Sequence, residues 1–438
     1  MNCHLSLFCF SVAALSLSAG PVVEPSSVTL VQPTGRGVAE ISYVLSGAPA
    51  VVTVDIQTNA GENAWVSIGD EFVRALSGDV NRLVQPSQEP KMIVWKSHRD
   101  WPNHLITGEN TRAVIEVWPT NCLPPYLVVD FETSDVAFYR SEEALPHPVT
   151  NDLYVTTQMV MRKIPAANAS WTMGTKSSDV PKDKDGKAAT SVTWLNEGEH
   201  TVTFTEDYYM AIYPITIAQY QTLAASPARM SALVTDSDNP AAPQTRMSHV
   251  FVRGSIKQGV NWPLTKHDVY SGSFLGVLRS YIGSGLAFDL PTEAQWEFAC
   301  RAGTTGNWYY GNALDEAQVW SGGKAGPCDV RYSRNPWGLY GFYGNCGNLC
   351  LDWKRQNYVV APDDFYNLGC FDPPGPADEP DADTAETQRI TRGGYYSLDA
   401  DLVPIFCRSG ARYRYSTNAP GNVWSVRLVA PAGVAGAK

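Results

Sequence analysis

Short runs of alternating apolar and polar residues dominate the first third of the chain. The runs "GVAEISYVLS", "AVVTVDIQTN", "RAVIEVWPTN" and "PYLVVDFET" each have the length of one strand, and Gly, Pro and Asn residues separate them. A period of two is typical of strands that bury one face. The pattern therefore predicts an all-β sandwich of the immunoglobulin or fibronectin type over residues 21–140. We interpret this region as a spacer or adhesion module.

The pattern changes after a polar, proline-containing segment at residues 141–154, which we interpret as a linker. Capping boxes, in which a Thr side chain and a polar side chain three residues later cap the first turn, predict three short helices. They begin at Thr216, Thr265 and Thr292. Long segments rich in Gly and aromatic residues separate these helices. Loops of this length need side-chain networks, disulfides or ions to hold them.

The N-terminus has the features of an export signal. An apolar run from Leu5 to Leu17 is too short to cross a bilayer, and it is followed by the small residues Ser18-Ala19-Gly20. We predict a signal peptide over residues 1–20 and a secreted or periplasmic bacterial protein. No later segment is long and apolar enough to predict a membrane span.

Composition narrows the classes of partner. The chain has 438 residues, of which 44% are hydrophobic and 18% charged, with 35 Gly, 30 Pro, 13 Trp and 21 Tyr. Such a balance favours a loop-rich or β-rich globular protein over a helical bundle. The formal net charge of −11 argues against nucleic acid as a partner, because phosphate binding needs a basic patch.

The cysteines have to be considered together with export. Nine are present, and removal of Cys3 and Cys9 with the signal peptide leaves seven: Cys122, Cys300, Cys328, Cys346, Cys350, Cys370 and Cys407. In an oxidising compartment some of these should pair. Seven is odd, so at least one stays free or pairs outside the chain.

A series of motifs in the second region carries a family resemblance. In chain order they are "MRKIPAANASWTMGT", "HTVTFTEDYYMAIYPITIAQYQTL", "LPTEAQWEFACRAGTTGNWYYGN", "NPWGLYGFYGNCGNLCLDW", "TRGG", "CRSGARY" and "VRLVAP". Their order and spacing resemble the sulfatase-modifying-factor domain of formylglycine-generating enzymes, over about residues 155–432, with a tail at 433–438. The resemblance implies a C-type-lectin-like fold, α+β with sparse regular secondary structure.

The resemblance also implies a specific chemistry, and the chain departs from it. Formylglycine-generating enzymes oxidise a substrate cysteine with oxygen, using two cysteines after a twin glycine that hold copper(I). Counting in the same way from Gly393-Gly394 reaches Leu398, and counting back from Arg412 reaches about Pro404; neither residue is a thiol. Nearby Asp residues are hard donors that suit copper(I) poorly. We therefore expect neither copper nor the family reaction.

A calcium site implied by the resemblance is also reduced. Its positions are occupied by Gly344, Cys346 and Asn348, with Gly341 where the family has Asp or Asn and Asn348 where it has Glu. Calcium prefers charged oxygen ligands, so the loss of both charges predicts weakened calcium binding. A related branch that makes sulfoxides needs a histidine triad for iron, and the His spacing here does not match it.

Cys407 has three interpretations. The resemblance implies a disulfide between Cys300 and Cys407, which we prefer. An unpaired buried thiol is the second interpretation and a lone catalytic thiol the third, since no His or second Cys lies close in sequence to activate it. Cys346 and Cys350 have C-x-x-x-C spacing, which leaves a metal ligand pair or a disulfide with Cys328 or Cys370 open.

Arginines cluster in the last fifth of the chain, at positions 392, 408, 412, 414 and 427. In the family such arginines mostly pair with internal carboxylates, and Glu293 and Glu297 are the obvious partners here. Recognition of an anionic ligand is the functional alternative, because the guanidinium fork fits carboxylate or sulfate groups.

These observations favour a non-catalytic binding or structural module of the cell envelope. Its partner would be an envelope peptide or glycan, or another exported protein. Aromatic and polar residues after the twin glycine are the candidate binding surface: Tyr395, Tyr396, Ser397, Arg412, Tyr413 and Tyr415. The rival hypothesis is an oxidase that acts on a cysteine of exported sulfatases with ligands assembled differently.

Overall fold

The computed structural model describes residues 20–61, 64–176, 178–182, 185–186, 197–228, 230–324, 326–354, 370–373 and 388–433. The chain divides into two compact units, Met1–Pro119 and Thr120–Lys438. The predicted signal peptide, apart from Gly20, and the predicted tail, apart from Gly433, lie outside the described residues.

Most of the regular elements of the first unit are strands. These are β1 (Val22–Val23), β2 (Thr29–Val31), β3 (Ala39–Tyr43), β4 (Leu45–Ser46), β5 (Ala50–Asn59), β6 (Trp65–Ser67), β7 (Leu76–Gly78), β8 (Leu83–Val84), β9 (Lys91–Trp95) and β10 (Thr111–Pro119), with one helical turn, α1 (Ser97–Asp100). One sheet has the order β2-β3-β9-β7, and another has the order β10-β5-β6 with β8 also on β5.

These two four-stranded sheets contribute to one core. Ile41 and Ile93 from the first sheet, and Val54 and Ile56 from the second, belong to the same cluster of buried side chains. The alternation seen in the sequence is what places these residues on one face of each strand. A shared core between two antiparallel sheets agrees with the predicted sandwich class, which stays a prediction.

The boundary between the units differs from the expected one. Strands β11 (Tyr126–Asp130) and β12 (Val136–Tyr139) were expected in the first region, but β11 pairs with β13 (Gln158–Ile164) of the second unit. The reason is burial, since four of the five residues of β11 are buried and such a strand needs neighbours on both sides. The expected linker is likewise part of the core, because Leu145 and Val149 are buried there.

The second unit combines short strands and short helices, as the α+β expectation requires. Its further strands are β14 (Ser170–Met173), β15 (His200–Thr203), β16 (Tyr208–Ala211), β17 (Gly347–Trp353), β18 (Cys370–Phe371), β19 (Gln388–Arg392), β20 (Arg412–Ser416), β21 (Trp424–Ser425) and β22 (Val429–Pro431). Its helices are α2 (Leu153–Thr156), α3 (Ile217–Ala225), α4 (His249–Arg253), α5 (Phe274–Ile282), α6 (Glu293–Arg301) and α7 (Val403–Phe406). Across both units, 3-10 turns lie at Pro25–Ser27, Asp70–Phe72, Ile256–Gln258, Glu316–Gln318 and Ala400–Leu402.

The described strands of this unit form three sheets. Their orders are β12-β11-β13-β16-β22, β14-β15-β18 and β20-β19-β17-β21. In the last of these, β17 is antiparallel to β19 and parallel to β21. Among the described residues, no helix has both the length and the apolar character needed to cross a membrane.

Two of the three predicted helix starts are confirmed. Thr216 and Thr292 form complete capping boxes at the first residues of α3 and α6. The prediction at Thr265 is wrong, because its hydroxyl accepts the N–H of Asn261 within a turn. The next helix, α5, begins instead after Ser273, whose hydroxyl accepts the N–H of Gly276.

Helix α6 positions the groups that matter for the site. Glu293 and Glu297 are one helical turn apart and therefore share a face. Trp296 lies between them in sequence and donates its indole N–H to Asn348 of β17 at 2.9 Å. All three side chains are fully buried, so the helix presents two carboxylates to the interior of the unit.

Candidate functional site

Strands β19 and β20 have two faces of opposite character. Arg392 is directly opposite Arg412, and the next pair along is Thr391 opposite Tyr413. Because successive side chains of a strand point to opposite faces, the two arginines share one face and Thr391 and Tyr413 share the other. We call these the inner face and the outer face of the sheet β20-β19-β17-β21.

Ion pairs to α6 hold the inner face. Arg392 lies 2.9 Å from the Glu293 carboxylate and 2.7 Å from that of Glu297. Arg412 donates to Glu293 at 2.8 Å, and Arg301 pairs with Glu297 at 2.8 Å. The interpretation of Arg392 and Arg412 as partners of these carboxylates is confirmed.

The Glu297 carboxylate is held ionised in this network. Burial alone would raise its pKa, but Arg301, Arg392 and the N–H of Gly174 outweigh burial and lower the pKa to about 2. A buried carboxylate with this many donors keeps its charge through the neutral range. The network is therefore a structural element of the core and is closed to a ligand anion.

Arg412 does not belong to the predicted binding surface. Its side chain is 8% exposed and faces Glu293, so it lies on the inner face. Arg408 is also internal and pairs with Glu197 at 2.8 Å. Arg427 donates to the carbonyls of Ala211 and Ile212 at 2.9 and 2.8 Å, and burial lowers its pKa to about 9.

Aromatic rings cover the outer face. Tyr413 lies 5.8 Å from Trp424 and 6.3 Å from Tyr395 between ring centroids. Tyr395 meets Trp424 edge-on at 5.4 Å, and Tyr415 lies 6.2 Å from the same indole. Tyr395 and Tyr413 are half-buried, which leaves part of each ring to solvent. We call these four rings the aromatic surface.

Trp424 was absent from the sequence-based surface. It lies above Gly347 of β17, where an added Cβ would be 2.6 Å from the indole ring. Only glycine leaves room for an indole at this position. Two observations were available in the sequence, a Trp in the closing segment and a Gly in "NCGNLC", but the spacing of these two residues gave no indication of their contact.

Tyr396 and Ser397 point to different environments. Tyr396 is 5% exposed, and its backbone N–H donates to the carbonyl of Asn345 at 2.9 Å. Ser397 is exposed. Of the six predicted surface residues, the structure brings together Tyr395, Tyr413 and Tyr415 and adds Trp424.

The segment after the twin glycine has apolar side chains at the two positions where the family resemblance implies copper-binding cysteines. Gly393 and Gly394 have φ of 96° and 72°, a left-handed backbone that favours glycine. Leu398 is 3% exposed and belongs to the main core cluster, and Pro404 is the second residue of the short helix α7. Neither residue offers an atom that can ligate copper(I).

Cys300 and Cys407 are both buried free thiols in the structure. The Cys300 sulfur lies 3.8 Å from the hydroxyl of Ser409, whereas the Cys407 sulfur lies against Gly394. The expected bond between them is therefore not formed here, because the two side chains face different neighbours. Burial raises the pKa of each thiol to about 12, which makes a thiolate nucleophile at Cys407 unfavourable.

The expected calcium positions have other partners. The Asn348 amide oxygen accepts from Trp296 at 2.9 Å and from the Arg427 guanidinium at 3.3 Å. The carbonyl of Cys346 accepts from the Asn348 amide at 3.4 Å. An adjacent guanidinium opposes a cation, so these residues do not fit calcium. In the part of the chain that the structure describes, no group of three or more His, Cys, Asp or Glu side chains could hold a metal.

Comparison with known proteins shows which family the second unit resembles. The family model of the sulfatase-modifying factor enzyme 1-like domain matches residues 164–432. The formylglycine-generating enzyme of Mus musculus is 29% identical over 144 residues, which cover 29% of this chain and 32% of that protein. The enzyme of the same name from Thermomonospora curvata is 30% identical over 124 residues, covering 24% and 38%.

A further relative carries a different name. The serine/threonine-protein kinase pkn1 of Chlamydia caviae is 27% identical over 237 residues, which cover 52% of this chain and 34% of that protein. The chain thus spans about a third of the length of these curated relatives. Among solved structures, Treponema denticola variable protein 1 aligns with a TM-score of 0.42 and 19% identity, covering 63% of this chain and 96% of its own.

The family model covers more than half of the chain and includes α6, the twin glycine and both faces of the site sheet. Residues 164–432 therefore make this chain a member of the sulfatase-modifying factor enzyme 1-like domain family.

Proposed function

We propose that this chain is an exported, non-catalytic binding module of the cell envelope. It would hold an envelope peptide or glycan, or a segment of another exported protein, on the aromatic surface. The observation that carries this proposal is the contrast between the two faces of one sheet. The inner face uses its charges internally, and the outer face leaves the rings of Tyr395 and Tyr413 partly open to solvent.

Ring surfaces of this kind suit recognition. Tyrosine and tryptophan give large, rigid contact areas at low conformational cost, and their polar atoms can still bond a ligand. The rings lie too close together to enclose a cation, since the centroids of Tyr395, Tyr413 and Trp424 are only 5.4 to 6.3 Å apart. A ligand would therefore lie on the rings and not between them.

The residues after the twin glycine argue against oxidation of a substrate cysteine. Leu398 and Pro404 replace the thiols that the family chemistry uses, and Cys407 is fully buried with its pKa raised to about 12. The alternative function remains an oxidase that acts on a cysteine of exported sulfatases. The sequence resemblance to formylglycine-generating enzymes is what favours it.

Two measurements separate these functions. The full chain would be loaded with copper(I) and incubated with a cysteine-containing sulfatase peptide under oxygen, with thiol loss followed by mass spectrometry. We expect no thiol loss. Oxygen-dependent loss of one thiol, abolished by Cys407→Ser in a folded variant, would establish the oxidase and contradict the proposal.

Binding is measured directly on arrays of envelope peptides and oligosaccharides. Tyr413→Ala should abolish capture of the probes that the unaltered chain retains, because it removes a partly exposed ring from the aromatic surface. Phe72→Ala is the control, since Phe72 is an aromatic residue with 39% exposure in the first unit. Equal losses in the two variants, or no retained probe, would refute the proposed surface.

A further inference from the structure

The outer face continues from the exposed rings into a buried row of side chains. Trp353 of β17 and Tyr415 of β20 are each directly opposite Arg389 of β19. The Arg389 guanidinium lies 3.2 Å above the centre of the Trp353 ring. Tyr415 in turn lies near Trp424, so the row joins the aromatic surface. One continuous strip therefore runs from half-exposed Tyr413 to buried Trp353.

Within the part of the chain that the structure describes, three polar atoms on this strip have no hydrogen-bond partner. They are the Thr391 hydroxyl, the Tyr415 hydroxyl and the Trp353 indole nitrogen, and the residues are 1%, 4% and 3% exposed. Proteins satisfy the great majority of buried polar atoms, and an unpaired one costs more than a made bond returns. Three such atoms on one side of one sheet indicate that a hydrogen-bonding partner from outside the described residues binds there.

Their position connects them to the aromatic surface. Thr391 is directly opposite Tyr413 on the neighbouring strand, so a ligand lying on the Tyr413 ring is one side chain away from the Thr391 hydroxyl. Tyr415 is two residues from Tyr413 on the same face. Thr391, Tyr415 and Trp353 are almost fully buried, so our inference includes a movement of the Tyr413 ring, which packs on Tyr395, Phe406 and Trp424, to admit a ligand.

We propose that Thr391, Tyr415 and Trp353 are the hydrogen-bonding floor of the aromatic surface, and that its ligand is a carbohydrate. This inference rests on the proposed binding function and narrows its ligand class. A sugar ring presents an apolar C–H face that packs on an aromatic ring, together with a rim of hydroxyls. Each sugar hydroxyl both donates and accepts, which matches the Thr391 and Tyr415 hydroxyls, and it can accept from the donor-only indole. A peptide backbone group does only one of these.

The first test measures stability without any ligand. Tyr415→Phe and Thr391→Val each remove a hydroxyl that has no partner, so the midpoint of thermal unfolding should stay within about 1 °C or rise. The matched control is Tyr213→Phe, which removes a hydroxyl bonded to the carbonyl of Val149 at 2.9 Å. Thr216→Val is a second control, in which a hydroxyl bonded to the carbonyl of Val155 at 2.6 Å and the N-cap of α3 are both lost. These controls should lower the midpoint by several degrees.

The second test measures binding by the full chain. The probes are peptidoglycan glycan strands stripped of peptide, the free stem peptide, and a panel of neutral oligosaccharides, each followed by calorimetry and Trp fluorescence. We expect an oligosaccharide to bind and the stem peptide not to bind. Tyr415→Phe and Thr391→Val should each weaken that binding about three- to tenfold, the worth of one hydrogen bond.

The outcomes separate this inference from the proposed function. If a peptide binds in a Tyr413-dependent way and no oligosaccharide does, the surface stands and the carbohydrate inference falls. If Tyr415→Phe destabilises the chain as much as Tyr213→Phe, the Tyr415 hydroxyl already has a hydrogen-bond partner, such as an ordered water. The proposed hydrogen-bonding floor is then wrong. If no probe binds at all, the proposed function itself fails.

Discussion

The Asp352 carboxylate accepts the backbone N–H of Glu293 at 2.6 Å, inside a fully buried cluster. Among the described residues, the second oxygen of Asp352 has no hydrogen-bond partner. Burial, and after it the negative charge of Glu293, raises the pKa of Asp352 to about 7, although Arg412 and Arg392 act in the opposite direction. The folded chain therefore holds a proton here that an unfolded chain releases near pH 3.8.

This proton makes stability depend on pH. Between about pH 4 and about pH 7 the folded state binds more protons than the unfolded state, so the free energy of unfolding should fall as pH rises through this window. Asp352→Asn removes the titrating group, and it should be more stable than the unaltered chain by a few kcal/mol at about pH 8. Guanidinium unfolding at about pH 5 and about pH 8 measures how the free energy of unfolding changes with pH in the unaltered chain and in Asp352→Asn. Glu132→Gln, an exposed carboxyl, should leave the slope unchanged.

Removal of one buried charge should be far more costly than removal of a surface charge. Glu297→Gln leaves Arg301 and Arg392 without one of their carboxylates, and we expect a loss of about 3–5 kcal/mol in the free energy of unfolding. Glu40→Gln breaks the exposed pair with Arg36 and should cost less than about 1 kcal/mol. Chemical denaturation compares the two variants, and equal costs would show that the network contributes little.

The contact between Gly347 and Trp424 gives a steric prediction. Gly347→Ala places a methyl group 2.6 Å from the indole, so Trp424 must shift. We expect a loss of about 1–3 kcal/mol from overpacking, together with an altered Trp emission spectrum. Gly108→Ala is the control, because an added Cβ there meets no atom within 4 Å. An unchanged spectrum for Gly347→Ala would contradict the described packing.

Alkylation of the native chain should separate the thiols. Cys122 is exposed, whereas Cys300 and Cys407 are buried and burial raises the pKa of both to about 12. At about pH 8, iodoacetamide should label Cys122 and leave the other two unmodified until the chain unfolds. Peptide mass mapping of the same sample without reductant identifies which cysteines are labelled and which are cross-linked. A cross-linked peptide that contains Cys300 and Cys407 would restore the disulfide expectation.

The sequence predicted local features best where the signal is itself local. The capping boxes at Thr216 and Thr292 use residues three positions apart, and both were correct. The pairing of α6 carboxylates with Arg392 and Arg412 was also anticipated, because the family resemblance placed them. The failures involve contacts between distant segments. Strand β11 looked like its predecessors, and only its pairing with β13 assigns it to the second unit.

The candidate site divides in the same way. A cluster of tyrosines after the twin glycine was visible in the sequence, but the sequence did not indicate which of them share a face. Arg412 and Tyr413 are neighbours in the chain and lie on opposite faces of the sheet. Trp424 joins the surface through a parallel pairing with Gly347, which no spacing rule could reveal.

This alternation has an evolutionary consequence. Residues that hold the core together and residues of the proposed binding surface alternate along the same two strands. Side chains of the outer face, such as the partly exposed Tyr413, can therefore be replaced while the ion pairs of the inner face are retained. A family member built in this way could acquire a new ligand by exchanging a few side chains, with no need to evolve a new scaffold.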